Sequence, residues 1–123
     1  MRVAVIGSRT ATLQDVILAI YAFTQQVGII THVVSGGAKG ADSHAVFYAR
    51  CFQVPVTIHP ADWNQYGKRA GFLRNITIVE DCEHVLAIWD GLSHGTTHSM
   101  NLARERNIPV FCHEFRSQTN ASA

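Results

Sequence analysis

The sequence predicts an α/β chain with a Rossmann-like three-layer fold, built on a parallel sheet with strand order 3-2-1-4-5. Short apolar runs alternate with segments whose apolar residues recur at helical spacing, the pattern of strands joined by right-handed helical crossovers. Small-residue turns follow several of those runs: Gly7-Ser8-Arg9, then Ser35 through Asp42, then Asp90 through Thr97. The length of 123 residues, 47% hydrophobic and 15% charged, fits one domain of ordinary globular balance.

Residues 3–6 form a continuous apolar run, as expected of a strand covered on both faces. Leu13, Val16, Ile17, Ile20, Phe23 and Val27 then recur with the period of a helix. Residues 31–35 read as the second strand, and Ala41, Ala45, Tyr48, Ala49 and Phe52 as the stripe of a second helix. Residues 54–59 are the third strand. The polar stretch 60–69 reads as one long irregular insertion. Phe72, Leu73, Ile76 and Val79 predict a third helix starting near Gly71. Residues 85–89 are the fourth strand, residues 96–106 a fourth helix stopped by Asn107, and residues 110–112 the fifth strand. The single domain is expected over 1–116, with a polar tail over 117–123.

Ten basic and nine acidic side chains leave a net charge of +1, which supplies no basic field for non-specific nucleic-acid binding. Nucleic acid is therefore not expected as a partner. Cys51, Cys82 and Cys112 are scattered and odd in number, which suits buried thiols in a reducing compartment better than a disulfide framework. The N-terminal apolar run is too short for a signal peptide, and no run approaches a membrane span, so the expectation is a cytoplasmic protein with no membrane partner.

In this topology the turns after the first, second and fourth strands meet at the switch point on the carboxyl edge of the sheet. Gly36, Gly37 and Gly40 expose backbone N–H groups ahead of a helix, and Gly7, Ser8 and Arg9 leave the first strand beside them. Gly95, Thr96 and Thr97 offer a close approach and hydroxyls at another helix start, with Ser93 as an alternative N-cap. The loop Ser35 to Asp42 matches neither Gly-x-Gly-x-x-Gly nor a Walker loop. Ordinary strand-to-helix turns with structural glycines fit these segments as well. Arg9 and Arg74 are the candidate charge partners of a phosphate. Asp90 is the candidate for a ribose hydroxyl or for acid–base work, with Asp42 nearby. Trp63 is a candidate base platform or lid, and Asn75 adjoins Arg74. His94 and His98 have ligand spacing on a helix but no third ligand in sequence, so neither a metal nor a cofactor is expected.

The run Val34 to Asp42, then Trp63, Gly67, Ala70-Gly71, Arg74-Asn75, Asp90 and Gly95-Thr96, together resembles the SLOG superfamily, nearest its YspA/YpsA-related branch. The resemblance spans residue 7 to about residue 110 and implies a Rossmann-like domain that binds or processes nucleotide derivatives, in a homo-oligomer. The related Lonely Guy phosphoribohydrolases carry Pro-Gly-Gly-x-Gly-Thr-x-x-Glu; here Gly95-Thr96 and Arg74 look like the corresponding residues, while Leu92-Ser93-His94 replaces Pro-Gly-Gly and Ser99 stands at the glutamate. A serine cannot supply that carboxylate. DNA-processing protein A has a core loop similar to Ser35 through Asp42. The main expectation is binding or sensing of a small phosphorylated nucleotide, a nucleoside monophosphate or an ADP-ribose-like molecule. Its site would be Gly7, Ser8, Arg9, Ser35, Gly36, Gly37, Gly40, Asp42, Trp63, Arg74, Asn75, Asp90, Ser93, Gly95, Thr96 and Thr97. The alternative is a nucleotide-processing hydrolase acting through Asp90 and Arg74. A third reading is a single-stranded nucleic-acid module.

Overall fold

The computed structural model describes residues 1–116; the expected tail at 117–123 lies outside them. The strands are β1 (Arg2–Gly7), β2 (His32–Ser35), β3 (Val56–Ile58), β4 (His84–Trp89) and β5 (Val110–Glu114). The helices are α1 (Leu13–Gln26), α2 (Ala41–Cys51), α3 (Trp63–Tyr66), α4 (Ala70–Glu80) and α5 (His94–Glu105). All neighbouring strands are parallel, and the order is β3-β2-β1-β4-β5. The predicted Rossmann-like topology is the one observed.

Alternation along the central strands sorts their side chains between two cores. Val3, Val5, Val33, Leu86 and Ile88 pack with Val16, Ile20 and Phe23 of α1 and the alanines of α2. Ala4, Ile6, Val34, Val85 and Ala87 pack with Ile78 and Val79 of α4 and Met100 and Ala103 of α5. Both faces of the sheet are thus covered, which accounts for the unbroken apolar runs of β1 and β4. Small residues on the inner face of α2, Ala41, Ala45 and Ala49, bring that helix close to the sheet.

Several details differ from the sequence expectations. The stretch 60–69 is mostly helical: Asp62 caps α3 by accepting the Gln65 N–H at 3.1 Å, and a 3-10 turn over Gly67–Arg69 leads into α4. Its apolar residues are too few to show periodicity, so the cap is the only local signal. Helix α5 begins at His94, two residues before the expected start, because Ser93 takes the N-cap position. Asn107 ends the segment in the left-handed region, with φ of 58°. Cys51 and Cys112 are exposed rather than buried, one on the outer side of α2 and the other on the edge strand β5. Among the described residues, no helix is long and apolar enough to cross a membrane.

Candidate functional site

An open cleft of about 420 Å3 lies at the carboxyl edge of the sheet, where β1 and β4 part toward opposite neighbours. Arg9 and Thr10 enter it after β1, Ala38, Lys39 and Asp42 after β2, and Asp90, Ser93, Gly95 and Thr96 after β4. Helix α4 contributes Arg74, Asn75 and Ile78, and Ser99 of α5 completes the wall. The switch-point geometry therefore assembles the three turns that the sequence singled out.

Arg74 is held in place by a chain of hydrogen bonds across two helices. His98 Nδ1 of α5 accepts from Asn75 Nδ2 at 3.2 Å; Asn75 Oδ1 accepts from Arg74 Nε at 3.3 Å; and Arg74 Nη1 donates to the Gly36 carbonyl at 3.3 Å. Phe72 meets the His98 ring edge-on, with centroids 4.6 Å apart. A Cβ on Gly36 would lie 2.6 Å from Arg74 Nη1 and 2.9 Å from Asp42 Oδ2, so only glycine lets these two charged groups close over the loop. Asp42 is 6% exposed. Burial pushes its carboxyl up to about 6, against the opposing pull of Arg74 and the N–H groups of Ala38 and Gly36.

The turn after β1 is tied to both other loops. Ser8 is buried; its carbonyl accepts from Ala11 and Ala41, both at 3.2 Å, and its Oγ accepts the Asp90 N–H at 3.1 Å. Gly40 has φ of +81°, and a Cβ there would lie 2.5 Å from the carbonyl oxygens of Ser8 and Arg9. Positive φ and a clash with backbone atoms coincide at Gly40, which requires glycine.

Asp90 Oδ1 accepts the N–H groups of Leu92 and Ser93, each at 2.9 Å, and Oδ2 accepts from the Thr10 hydroxyl at 3.3 Å. Burial raises its carboxyl, but the N–H groups of Leu92 and Ser93 and the hydroxyls of Ser8 and Thr10 outweigh that and hold it below the usual carboxylate range. Asp90 is thus a fixed anion that shapes the turn, a poor fit to a proton shuttle near neutral pH. Among the described residues, Asp42 and Asp90 are the only carboxylates in the cleft wall, and Ser99 stands there with a hydroxyl. Thr96 Oγ1 donates to Ser93 Oγ and Thr97 Oγ1 to the Ser93 carbonyl, so both threonines serve the helix start.

Of the sequence candidates, Gly7, Arg9, Asp42, Arg74, Asn75, Asp90, Ser93, Gly95 and Thr96 line the cleft. Ser8, Ser35, Gly36, Gly37, Gly40 and Thr97 do not line it; Ser35 Oγ, for example, donates to the Asp42 carbonyl and accepts the Gly37 N–H. Trp63 is outside the wall, 56% exposed on α3, with its ring edge beside Gly71. Thr10, Lys39 and Ser99 join the wall without being sequence candidates, although Lys39 is legible as the cation of a glycine-rich loop. His98 anchors Asn75, a role that no spacing rule reveals. Among the described residues, no group of three histidine, cysteine or acidic side chains is placed to hold a metal.

A family model described as YspA, cpYpsA-related SLOG matches residues 1–66. The chain is similar to Gene 61 protein of Mycobacterium phage D29, at 40% identity over 119 residues, covering 89% of this chain and 93% of that protein. It is also similar in structure to DNA processing protein A from Helicobacter pylori, with a TM-score of 0.64 and 22% identity, over 96% of this chain and 67% of that one. That structure belongs to a study of the protein's single-stranded DNA binding mode. These findings correct two expectations. The small phosphorylated nucleotide finds no support among them, and nucleic acid no longer stands as an unexpected partner. The physical reason lies in the averaging: a chain-wide charge of +1 conceals that the fold gathers Arg9, Lys39 and Arg74 into one cleft.

Proposed function

Because the chain belongs to the YspA, cpYpsA-related SLOG family, we propose that it binds single-stranded nucleic acid along the carboxyl edge of its sheet. The observation that carries this reading is the convergence of Arg9, Lys39 and Arg74, from three separate segments, on one open cleft. Two of these cations are exposed and stand on loops, where they meet successive phosphates of a flexible strand; Arg74, braced by Asn75 and Gly36, is the fixed contact between them. The start of α5, where Gly95 lines the cleft, adds a backbone donor for a phosphate oxygen. Exposed Trp63 supplies an aromatic surface next to the first turn of α4. The fold shared with a single-stranded DNA binder supports the same reading.

Fluorescence anisotropy with a labelled oligonucleotide of about 12 nucleotides, within the site sizes of such proteins, tests it. Three phosphate contacts give a slope of about −2 in log affinity against log salt for a single strand. Lys39→Glu, on an exposed loop, should lower affinity at least about tenfold, and a duplex of the same length should bind more weakly. Affinity indifferent to salt and to Lys39→Glu would sink the proposal.

A further inference from the structure

A second concavity, of about 330 Å3, lies between α3 and α4. Asp62 and Tyr66 form one wall, Leu73 and Ile76 of α4 the other, and Arg74 closes one end. Its size is at the lower end of small-ligand sites. Tyr66 is 45% exposed, on a helix that buries none of its own side chains. A ring left half in water opposite partly buried aliphatic side chains makes a slot suited to a flat, weakly hydrated group. Among the described residues Asp62 is the only carboxylate in the slot; it is exposed, its Oδ1 caps α3, and its Oδ2 has no protein donor among them.

Arg74 lines this groove and the cleft alike. A strand lying in the cleft and leaving past β2 toward the β3 edge therefore crosses that guanidinium and meets the groove next. We infer that the α3–α4 groove is a base-binding subsite of that strand, and that it selects cytosine and adenine over thymine or uracil. The base stacks on Tyr66 against Leu73 and Ile76, and its amine donates to the free oxygen of Asp62. Cytosine and adenine present an amine at the position where thymine presents a carbonyl oxygen, which would face the carboxylate as a second acceptor. Asp62 is exposed, so what discriminates is the charge-assisted hydrogen bond that an amine makes to it and a carbonyl oxygen cannot. This inference rests on the single-strand reading of the cleft and adds to it a second contact and a base preference.

The test is anisotropy with labelled oligo-dC, oligo-dA and oligo-dT of equal length on the wild type, Tyr66→Leu, Asp62→Asn and Lys39→Glu. Asparagine also caps helices, and Tyr66 is exposed, so both groove variants keep the fold; unchanged thermal midpoints confirm that. The wild type should bind oligo-dC and oligo-dA about tenfold more tightly than oligo-dT. Asp62→Asn should erase that difference, because an amide donates as well as accepts. Tyr66→Leu should weaken all three about tenfold, the effect expected of one lost stack. Equal wild-type affinity for the three oligonucleotides, or groove variants indistinguishable from wild type, overturns the groove while Lys39-dependent, salt-sensitive binding leaves the cleft reading standing. No oligonucleotide binding by the wild type removes both.

Discussion

Burial raises the Asp42 carboxyl from its ordinary 3.8 to about 6, and the consequence is a stability that depends on pH. Between those values the folded chain holds a proton that the unfolded chain has released, so stability falls as pH rises from about 4 to about 6 and stays low above it. Asp42→Asn removes the buried charge and keeps an oxygen for the Ala38 N–H. It should stabilise the protein above pH 7 by about 2–3 kcal/mol and flatten the profile through that window. Thermal unfolding of the two proteins from pH 4 to pH 8 checks this; parallel profiles would show that Asp42 is not the titrating group. At this scale sequence reasoning named Asp42 and Arg74 but could not see that they meet across Gly36, since 38 positions separate Gly36 from Arg74. Ser8 and Ser35, both ligand-contact candidates in the sequence, spend their hydroxyls inside the fold.

The start of α5 shows how an element depends on a side chain outside it. Ser93 caps the helix through the Thr96 N–H at 3.4 Å, while Asp90 holds the backbone of Leu92 and Ser93 in the turn before it. Asp90→Ala leaves those donors to water in a half-buried turn and should cost about 1–2 kcal/mol, read as a lower urea midpoint with an unchanged slope. The wild type loses the same contribution only in acid: the folded carboxyl titrates below 3.8, so stability is present above that value and declines as pH falls through the folded one. An Asp90→Ala midpoint equal to wild type at pH 7 would show that the turn holds without the carboxylate. Helix α1 was more legible. Thr12 and Asp15 form a reciprocal capping box, and Val16, Ile20 and Phe23 keep helical period on the buried face. Helix α3 was not, because one turn has no period to read; its cap at Asp62 became informative only once the chain around it was folded.

Across the whole molecule, the central strands carry the stability. Leu86 is wholly buried in the core beneath α1 and α2, in a strand paired on both sides, and the surrounding sheet cannot collapse into the space it fills. Leu86→Ala should cost about 2–5 kcal/mol by chemical denaturation; a cost under about 1 kcal/mol would mean a far looser core than the packing implies. The order of strands was readable from the sequence because it follows from local facts: apolar runs too short for helices, helical periods between them, and the single handedness of crossovers. The same facts put the turns after β1, β2 and β4 at one edge. What the tertiary structure alone decided is which side chains of those turns face the cleft and which are spent holding it together, that His98 and Asn75 brace Arg74, and that three cations of a nearly neutral chain gather in one place. Periodicity and turn chemistry act over a few residues and are written in order along the chain, whereas a charge field and a hydrogen-bond relay depend on distances that exist only after folding.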